Sequence, residues 1–493
     1  MLFMARGASA SIASSNPVGV ATAQNLPGMV VQPEKSASGF TRSRPEDTIS
    51  SQGPALTGSS PIAEGEELTL DEAIRIALLY HPRQKEAESD TSAAHERVGE
   101  AQSYLGPQLF GVGQYLRSTD NGIGNTSYYN VEDSIPRMTG TNHDLPSDDF
   151  SQSWNTSNNY AGGIALSQFL FVFGSRRGLV DERRFEAASA VASQQLVELD
   201  LIFEVSQRYY NVLQARQLIR VYEKAVEQRQ YHLHEAQVKA GAGLRPQLDV
   251  YVMRAEVERA QLYLVDARNG YADARAALDN AMGLSDRAPS YHLADVLAYS
   301  QIKDTVNAFI KTAMQQRPDL KAMQDQASAM GARIAEYNSD YYPTVNAVAG
   351  YSALGTGLPA ANNFNAGIVI TWPLFNSFLT TDQIAETKFR RRSMEAAIAD
   401  LRQQIILQVQ TAFLNWQASL QRIEFSQKAL AASQVELALA EKRYQTGLAD
   451  ILELEDAQRH YTDDEAAYAN ALYSFSVTKA AVDQATALSL SSL

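Results

Sequence analysis

Seven histidines, 56 Asp and Glu, and no cysteine make up the reactive inventory of this 493-residue chain. The absence of cysteine removes disulfides, thiol nucleophiles, thiolate metal sites and a lipid anchor on an N-terminal cysteine. His232 and His234 stand two apart on a helical stretch, so they point to different sides and read as surface residues, not a metal pair. No phosphate-cradling glycine loop, dinucleotide fingerprint or nucleophile elbow is present. Carboxylates do gather in two places. Asp249 and Glu453 each lie six residues past a glycine, Gly243 and Gly447, and Asp456 lies nine past the second. Asp450 and Glu455 add acid beside them. No pair is set apart as acid and base, so no enzyme, cofactor or metal is read here. The chemistry on offer is fixed charge.

The elements that must position these groups come in two copies. Thr69 to Pro82 resembles Thr305 to Pro318, and Pro107 and Tyr115 match Pro343 and Tyr351, all at an offset of 236. Gly163, Leu170-Phe171, Val205 and Gly243-Leu244 match Gly367, Leu374-Phe375, Val409 and Gly447-Leu448 at an offset of 204. The first copy therefore carries 32 extra residues between Tyr115 and Gly163. The period is far longer than a solenoid repeat, so these are two domain-sized halves, 64–300 and 301–487, with a short tail at 488–493. Residues 1–63 read as a disordered leader rich in Pro, Ser, Gly and Ala. Val18 to Gln24 is similar to the end of a signal with an Ala-x-Ala cleavage site, and a plain flexible leader is the equal alternative.

Each half predicts a helix (66–104 and 303–340), two strands (107–117 with 160–171, and 343–353 with 363–374), a very long helix (174–240 and 377–445) and a last helix (246–283 and 450–486). At 1.5 Å per residue the long helices reach about 100 Å. Leu401, Ile405, Val409, Phe413, Trp416, Leu420 and Ile423 step by fours and threes, as do Leu199, Ile202, Val205, Tyr209 and Val212. This one-sided seam belongs to a helix that packs along its length against partners. The strands alternate: Phe364, Ala366, Ile368, Ile370 and Trp372 share one face, and Asn365, Gly367, Val369 and Thr371 the other. Their length suits a tilted membrane strand of roughly 9–11 residues, with Phe171 and Trp372 at the ends where an aromatic girdle lies. An ordinary four-stranded sheet covered by helices fits the alternation as well. No run approaches the roughly 18 apolar residues of a spanning helix, so a membrane role requires a β-barrel or a surface helix. The net charge of −14 argues against nucleic acid.

Taken in order, these features resemble the TolC-type outer-membrane channel family over residues 66–487. The motifs are the openings Leu68 to Ala73 and Thr305 to Ile310, the strand-to-helix joints Ser167 to Arg177 and Thr371 to Phe375, and the turns Lys239 to Val250 and Arg443 to Leu448. The resemblance implies a mainly α fold with a transmembrane β part. Three chains of four strands would close one 12-stranded barrel in the outer membrane, and the long helices would continue it as a coiled-coil tunnel through the periplasm. Residues 118–159 would form an external loop.

The resemblance also assigns roles. Gly243, Leu244, Gly447 and Leu448 would be the hairpin turns that meet a periplasmic adaptor. Glu453 and Asp456 match the family's acidic rings at the periplasmic constriction, where three-fold repetition would draw cations. Tyr444 matches a tyrosine of the closing network, and Asp249, six residues past the first turn glycine, is counted with the constriction. Ala449 departs from the family, standing where a gating arginine is usual, and Arg245 on the first turn could supply the missing cation. The implied function is a passive exit duct of a tripartite exporter, for type I protein secretion or drug efflux, working as a homotrimer with an adaptor and an inner-membrane ATPase or proton-driven pump. The missing anchor cysteine leans toward non-lipidated members. A periplasmic adaptor or a coiled-coil scaffold is the alternative; the first predicts a single hairpin with compact β domains, the second unbroken heptads.

Overall fold

The computed structural model describes residue 65 and residues 67–119, 156–284, 291–294, 305–355 and 361–488. The leader, most of the 118–159 loop, the boundary near 300 and the tail beyond 488 lie outside the described residues. The elements in chain order are β1 (Glu67–Leu68), α1 (Leu70–Tyr80), α2 (Pro82–Ser103), β2 (Gln108–Thr119), β3 (Thr156–Phe171), α3 (Ser175–Gly241) and α4 (Gln247–Ala281). They continue with β4 (His292–Leu293), α5 (Val306–Gln316), α6 (Pro318–Ser339), β5 (Thr344–Gly355), β6 (Ala361–Thr371), α7 (Leu379–Gln445) and α8 (Ile451–Thr486). The duplication is kept to the residue in places: α1 and α5 have 11 residues each, α2 and α6 have 22, and α3 and α7 have 67.

The first helix of each half is two helices rather than one. Pro82 and Pro318 occupy the first position of α2 and α6, and His81 and Arg317 before them are extended. A proline lacks the N–H that would continue the ladder and drives its predecessor out of the helical region, so each proline ends one helix and starts the next. Upstream, Thr69 caps α1 in a reciprocal capping box with Glu72. β6 stops at Thr371, short of the expected 374, because Pro373 cannot donate to a ladder. β3 has no such block and runs on to Phe171.

The four long strands form one antiparallel sheet in the order β2–β3–β5–β6. Residues paired across the ladder share a face. Leu109 pairs with Leu166, Leu166 with Ala349 and Ala349 with Ala366. Ile164 pairs with Tyr351 and Tyr351 with Phe364 on that same face, and Ile368 and Ile370 extend it. All the large side chains among them are exposed. The opposite face carries Ser167, Asn346, Ser352, Asn365 and Thr371, with Asn346 Nδ2 donating to Ser167 Oγ at 3.0 Å. The sheet is thus apolar on one side and polar on the other, and β2 and β6 are unpaired at its edges.

The helices repeat this arrangement. α3 packs along α4 on one side and α8 on the other, and α8 packs on α7. The order is α4–α3–α8–α7, with α4 and α7 at the edges. Ile405, Val409, Trp416 and Ile423 of α7 are buried against Phe475 and Val482 of α8. Leu199, Ile202, Val205, Tyr209 and Val212 of α3 are likewise buried. Away from the seam, α7 exposes Phe389, Leu407, Leu414 and Phe425, and α4 exposes Leu248, Tyr251, Leu262 and Val265. These apolar stripes have no partner among the described residues.

Candidate functional site

Both hairpin turns close the same way. Gly243 (φ +71°) and Gly447 (φ +80°) take the left-handed conformation that glycine adopts without steric cost. The next residue folds back on its helix: Leu244 N donates to Lys239 O at 2.9 Å and Leu448 N to Arg443 O at 2.8 Å. This satisfies carbonyls that the helix end leaves open. The fold-back leaves Leu244 and Leu448 each 75% exposed, with Leu248 and Leu452 exposed one turn further on. Beneath them Ala236, Val250, Met253, Leu437, Ala440, Ile451 and Leu454 form a shared core of both hairpins.

The two turns then differ. Arg245-Pro246 of the first stands opposite Ala449-Asp450 of the second in the repeat. Asp450 caps α8, accepting from Glu453 N at 2.9 Å. Arg245 crosses to the second turn, where its guanidinium donates to Ala449 O at 2.9 Å and Tyr444 O at 3.1 Å. It also lies 4.7 Å from the centre of the Tyr444 ring. Lys239 Nζ sits 4.9 Å from the same ring while paired at 2.7 Å with Glu235. A buried ring flanked by cations of the other hairpin joins the hairpins through cation–π contact as well as hydrogen bonds. Lys239 carried no signal in the sequence, where it looks like any solvated helix lysine.

Tyr444 is fully buried, and its hydroxyl finds no hydrogen-bond partner among the described residues. Burial, then the nearby charge of Asp249, pushes the phenol up to about 12, against the pull of Arg245. Asp249 is buried too, with Oδ2 unpartnered among the described residues. Tyr444, Asp249 and Arg245 are therefore one cluster. Glu453 and Asp456 lie apart from it on exposed helix surface. Each holds an arginine of its own chain: Arg443 at 2.7 Å from Glu453 and Arg459 at 2.8 Å from Asp456.

His232 is not the surface residue that its sequence predicts. It is 3% exposed, with Nδ1 3.7 Å from Glu235 and Nε2 3.6 Å from Glu441. The meeting of α3 with α7 at the tip covers it, and no sequence period encodes that contact. His234 is exposed, as expected. Glu455, grouped in the sequence with the exposed acids, is buried. Among the described residues no cluster of His, Asp and Glu could hold a metal ion.

A second set lies at the other end of the 67-residue helices. Phe171 ends β3 and meets Phe173 edge-on at 4.5 Å, and Phe173 stacks on Tyr342 at 5.1 Å. Trp372 follows β6 and donates from Nε1 to Tyr341 O at 3.1 Å. Arg176 rests against Tyr104 and Phe169, 4.9 and 4.7 Å from their ring centres. Aromatic and amphipathic side chains thus collect where the apolar sheet face ends and helix begins. No described helix is long and apolar enough to cross a membrane.

The chain is similar to the outer membrane protein TolC of Salmonella enteritidis, 23% identical over 442 residues that cover 87% of this chain and 83% of that protein. It is similar to protein CyaE of Bordetella pertussis, 24% identical, covering 80% of this chain and 78% of that one. It is also similar to the cation efflux system protein CusC of Escherichia coli, 22% identical over 66% of this chain and 72% of that protein. In fold it matches the solved CmeC outer membrane channel of Campylobacter jejuni with a TM-score of 0.71 at 15% identity, over 85% of each chain. The profile of the outer membrane efflux protein family covers residues 73–284 and 309–488, nearly all of both repeats. With one family spanning both halves and a shared fold of strand pairs and long hairpins, the chain belongs to the outer membrane efflux proteins.

Proposed function

We propose that the protein is the outer-membrane exit duct of a tripartite exporter, a passive trimeric channel that carries its cargo across the periplasm and outer membrane. The observation that carries this reading is the matched incompleteness of sheet and helix layer. β2 and α4 are edges in the first repeat, β6 and α7 in the second. An open strand edge is not tolerated in lipid, so a sheet with one apolar face must close on other copies. Four strands are too few for a barrel. Head-to-tail association pairs the β2 edge of one copy with the β6 edge of the next, and a rotation that closes makes a ring. The same step lays the α4 stripe of Leu248, Tyr251 and Leu262 against the tip half of the α7 stripe, Leu414, Phe425, Val435 and Leu439. Three copies give a 12-stranded barrel. Its outside is the face of Ile164, Leu166, Phe364, Ile368 and Ile370, and its lumen the face of Ser167, Asn346 and Thr371.

In this reading the tips are the periplasmic gate and the docking point of an adaptor, which offers its own hairpin to Leu244 and Leu448. The Arg245–Tyr444–Asp249 cluster holds the gate shut, with Arg245 acting for the arginine that Ala449 lacks. Glu453 and Asp456 line the constriction. Phe171 and Trp372 belong to the inner girdle of the barrel. Energy comes from an inner-membrane pump, ATP- or proton-driven. Type I secretion and efflux of small molecules use the same duct, so the cargo is set by the pump.

Mass measurement of the detergent-solubilised chain under native conditions tests the reading. A trimer is expected. A stable monomer or dimer would leave the strand edges open and overturn it.

A further inference from the structure

The seam between the two hairpins, where α3 meets α8, is crossed by polar contacts in strict antiparallel register. Gln484 Nε2 donates to Asp200 Oδ1 at 2.8 Å, and Gln214 Nε2 to Asn470 Oδ1 at 2.7 Å. Lys224 Nζ donates to Tyr461 Oη at 2.6 Å and pairs with Glu465 at 3.3 Å. At the foot of the seam the buried Arg229 of α3 acts by its charge on the buried Glu455 of α8. From Asp200 to Arg229 and from Gln484 to Glu455 the step is the same, twenty-nine residues. The ladder therefore runs about 45 Å down the seam toward the tips. The upper rungs are an amide on a carboxylate, an amide pair and a lysine with an acidic partner. The lowest is different.

Glu455 is 9% exposed, and its Oε1 has no hydrogen-bond partner among the described residues. Gln458, one turn on along the same face, is fully buried with both amide atoms unpartnered, and Arg229 is 5% exposed with Nε unpartnered. Facing Glu455 are Arg229 from α3 and Glu256 and Arg259 from α4, and the contact with Glu256 is carboxyl to carboxyl. Glu256 is also ion-paired with Arg259. On the α7 side the charged groups are engaged elsewhere: Glu441 with His232, Arg443 with Glu453 and Glu436 with His460. On α8 itself Asp456 holds Arg459. Two carboxyl groups in contact in a buried seam cannot both be charged without strong repulsion.

We propose that Glu455 and Glu256 are a proton-operated latch between α8 and α4 at the foot of the ladder: one shared proton holds the hairpins together, and its loss to solvent drives them apart. The direction of titration agrees. Burial first, and the Glu256 charge second, raise Glu455 from the ordinary 4.5 to about 7, while Arg229 and Arg259 oppose the rise. A carboxyl group whose pKa is raised only in the closed packing favours that packing in its protonated form. The contact is strongest below 4.5, weakens as pH climbs through about 7, and levels off above. Within that window each pH unit changes the ratio of closed to open by up to about tenfold. The latch concerns the tip itself; its effect on conduction rests on the duct reading.

Two measurements on the full-length chain separate the two ideas. The first is amide hydrogen exchange over Ile451 to Thr462, normalised for intrinsic rates, at pH 5, 6, 7 and 8. Wild type is expected to lose protection as pH rises, and Glu455→Gln to keep the low-pH protection throughout. Equal pH responses in wild type and Glu455→Gln would overturn the latch. The second is conductance in planar bilayers over the same range. Wild type is expected to open more at high pH and Glu455→Gln to stay flat, whereas Glu424→Gln, at an exposed glutamate of α7 paired with Lys428 away from the tips, keeps the wild-type response. A wild type that shows the exchange behaviour but never conducts would sink the duct reading and leave the latch standing. Glu256→Gln, which removes the second carboxyl charge and leaves the burial of Glu455, is expected to keep a pH response with its midpoint moved below that of wild type in both measurements; an unchanged midpoint in that variant would overturn the shared proton.

Discussion

Arg245 and Tyr444 meet across the gap between the two hairpin tips, the guanidinium 4.7 Å from the ring centre and 3.1 Å from the tyrosine's own carbonyl. The contact depends on a planar, forked cation that can stack and donate together. Arg245→Lys keeps the charge but loses the second hydrogen bond to Ala449 O. Both Arg245→Ala and Arg245→Lys are therefore expected to raise resting conductance in planar bilayers, with Lys recovering less than half of the wild-type closure. Closure fully restored by Lys would show that charge alone suffices and that the hydrogen bonds to the second turn are incidental.

Gly178 of α3 lies tight against α6, near the strand-to-helix joint. A Cβ there would lie 2.8–2.9 Å from the backbone of Glu336 on α6. Only glycine fits without moving a backbone. Gly178→Ala is expected to cost about 1–3 kcal/mol through overpacking. It should lower the thermal unfolding temperature of the purified chain. The neighbouring Gly174→Ala tests a different term, since the space around it is open but its φ is +100°. A Gly178→Ala protein as stable as wild type would mean that α3 and α6 do not pack this tightly.

The duplication was legible because helix lengths and hydrophobic seams repeat at fixed offsets, and α3 and α7 end at equivalent glycine turns. Pro82 and Pro318 were visible, but their full effect was not; the helix periodicity on either side masks two extended residues. The cluster proposed as the gate was legible only as a neighbourhood. Tyr444, Asp249 and Arg245 lie on two hairpins nearly 200 residues apart, and only their packing brings them together. The α3–α8 ladder was invisible for a related reason. Asp200, Gln214, Lys224 and Arg229 look like a solvated face until a partner helix in register supplies Gln484, Asn470, Tyr461 and Glu455. His232 failed likewise, because Glu441, which faces its Nε2, comes from a distant helix.

The two faces of the sheet should respond oppositely to charge. Arg in place of Ile368 or Ile370 puts a cation on the apolar, exposed face. Each substitution is expected to cost about 2–4 kcal/mol at the bilayer midplane, in every copy of the assembly. Arg in place of Asn365 or Thr371, on the polar face, should be tolerated. Heat-resistant oligomer in outer-membrane fractions, seen on gels, is the readout. Equal loss from both faces would mean that the sheet is not a barrel wall.

The last test concerns the acidic pair proposed to line the constriction. Glu453 and Asp456 repeat in every copy, but each already holds an arginine, Arg443 and Arg459. A single copy is therefore close to neutral at this level. Selectivity then depends on which member of each pair faces the axis. If the carboxylates do, wild type prefers cations and is blocked from the periplasmic side by trivalent cations. Glu453→Gln with Asp456→Asn leaves the two arginines unopposed, so reversal potentials should shift past neutrality toward anions and the block should vanish. The opposite pair, Arg443→Gln with Arg459→Gln, should strengthen both cation preference and block. The first change is isosteric, the second shortens two side chains, and both lie on exposed helix surface, so the oligomer should survive. Glu436→Gln and Glu441→Gln are controls on the same hairpin, with histidine partners instead of arginine. Selectivity that follows the controls as strongly as the pair, or an unchanged reversal potential after neutralisation, would place Glu453 and Asp456 on plain solvated surface and move the constriction elsewhere.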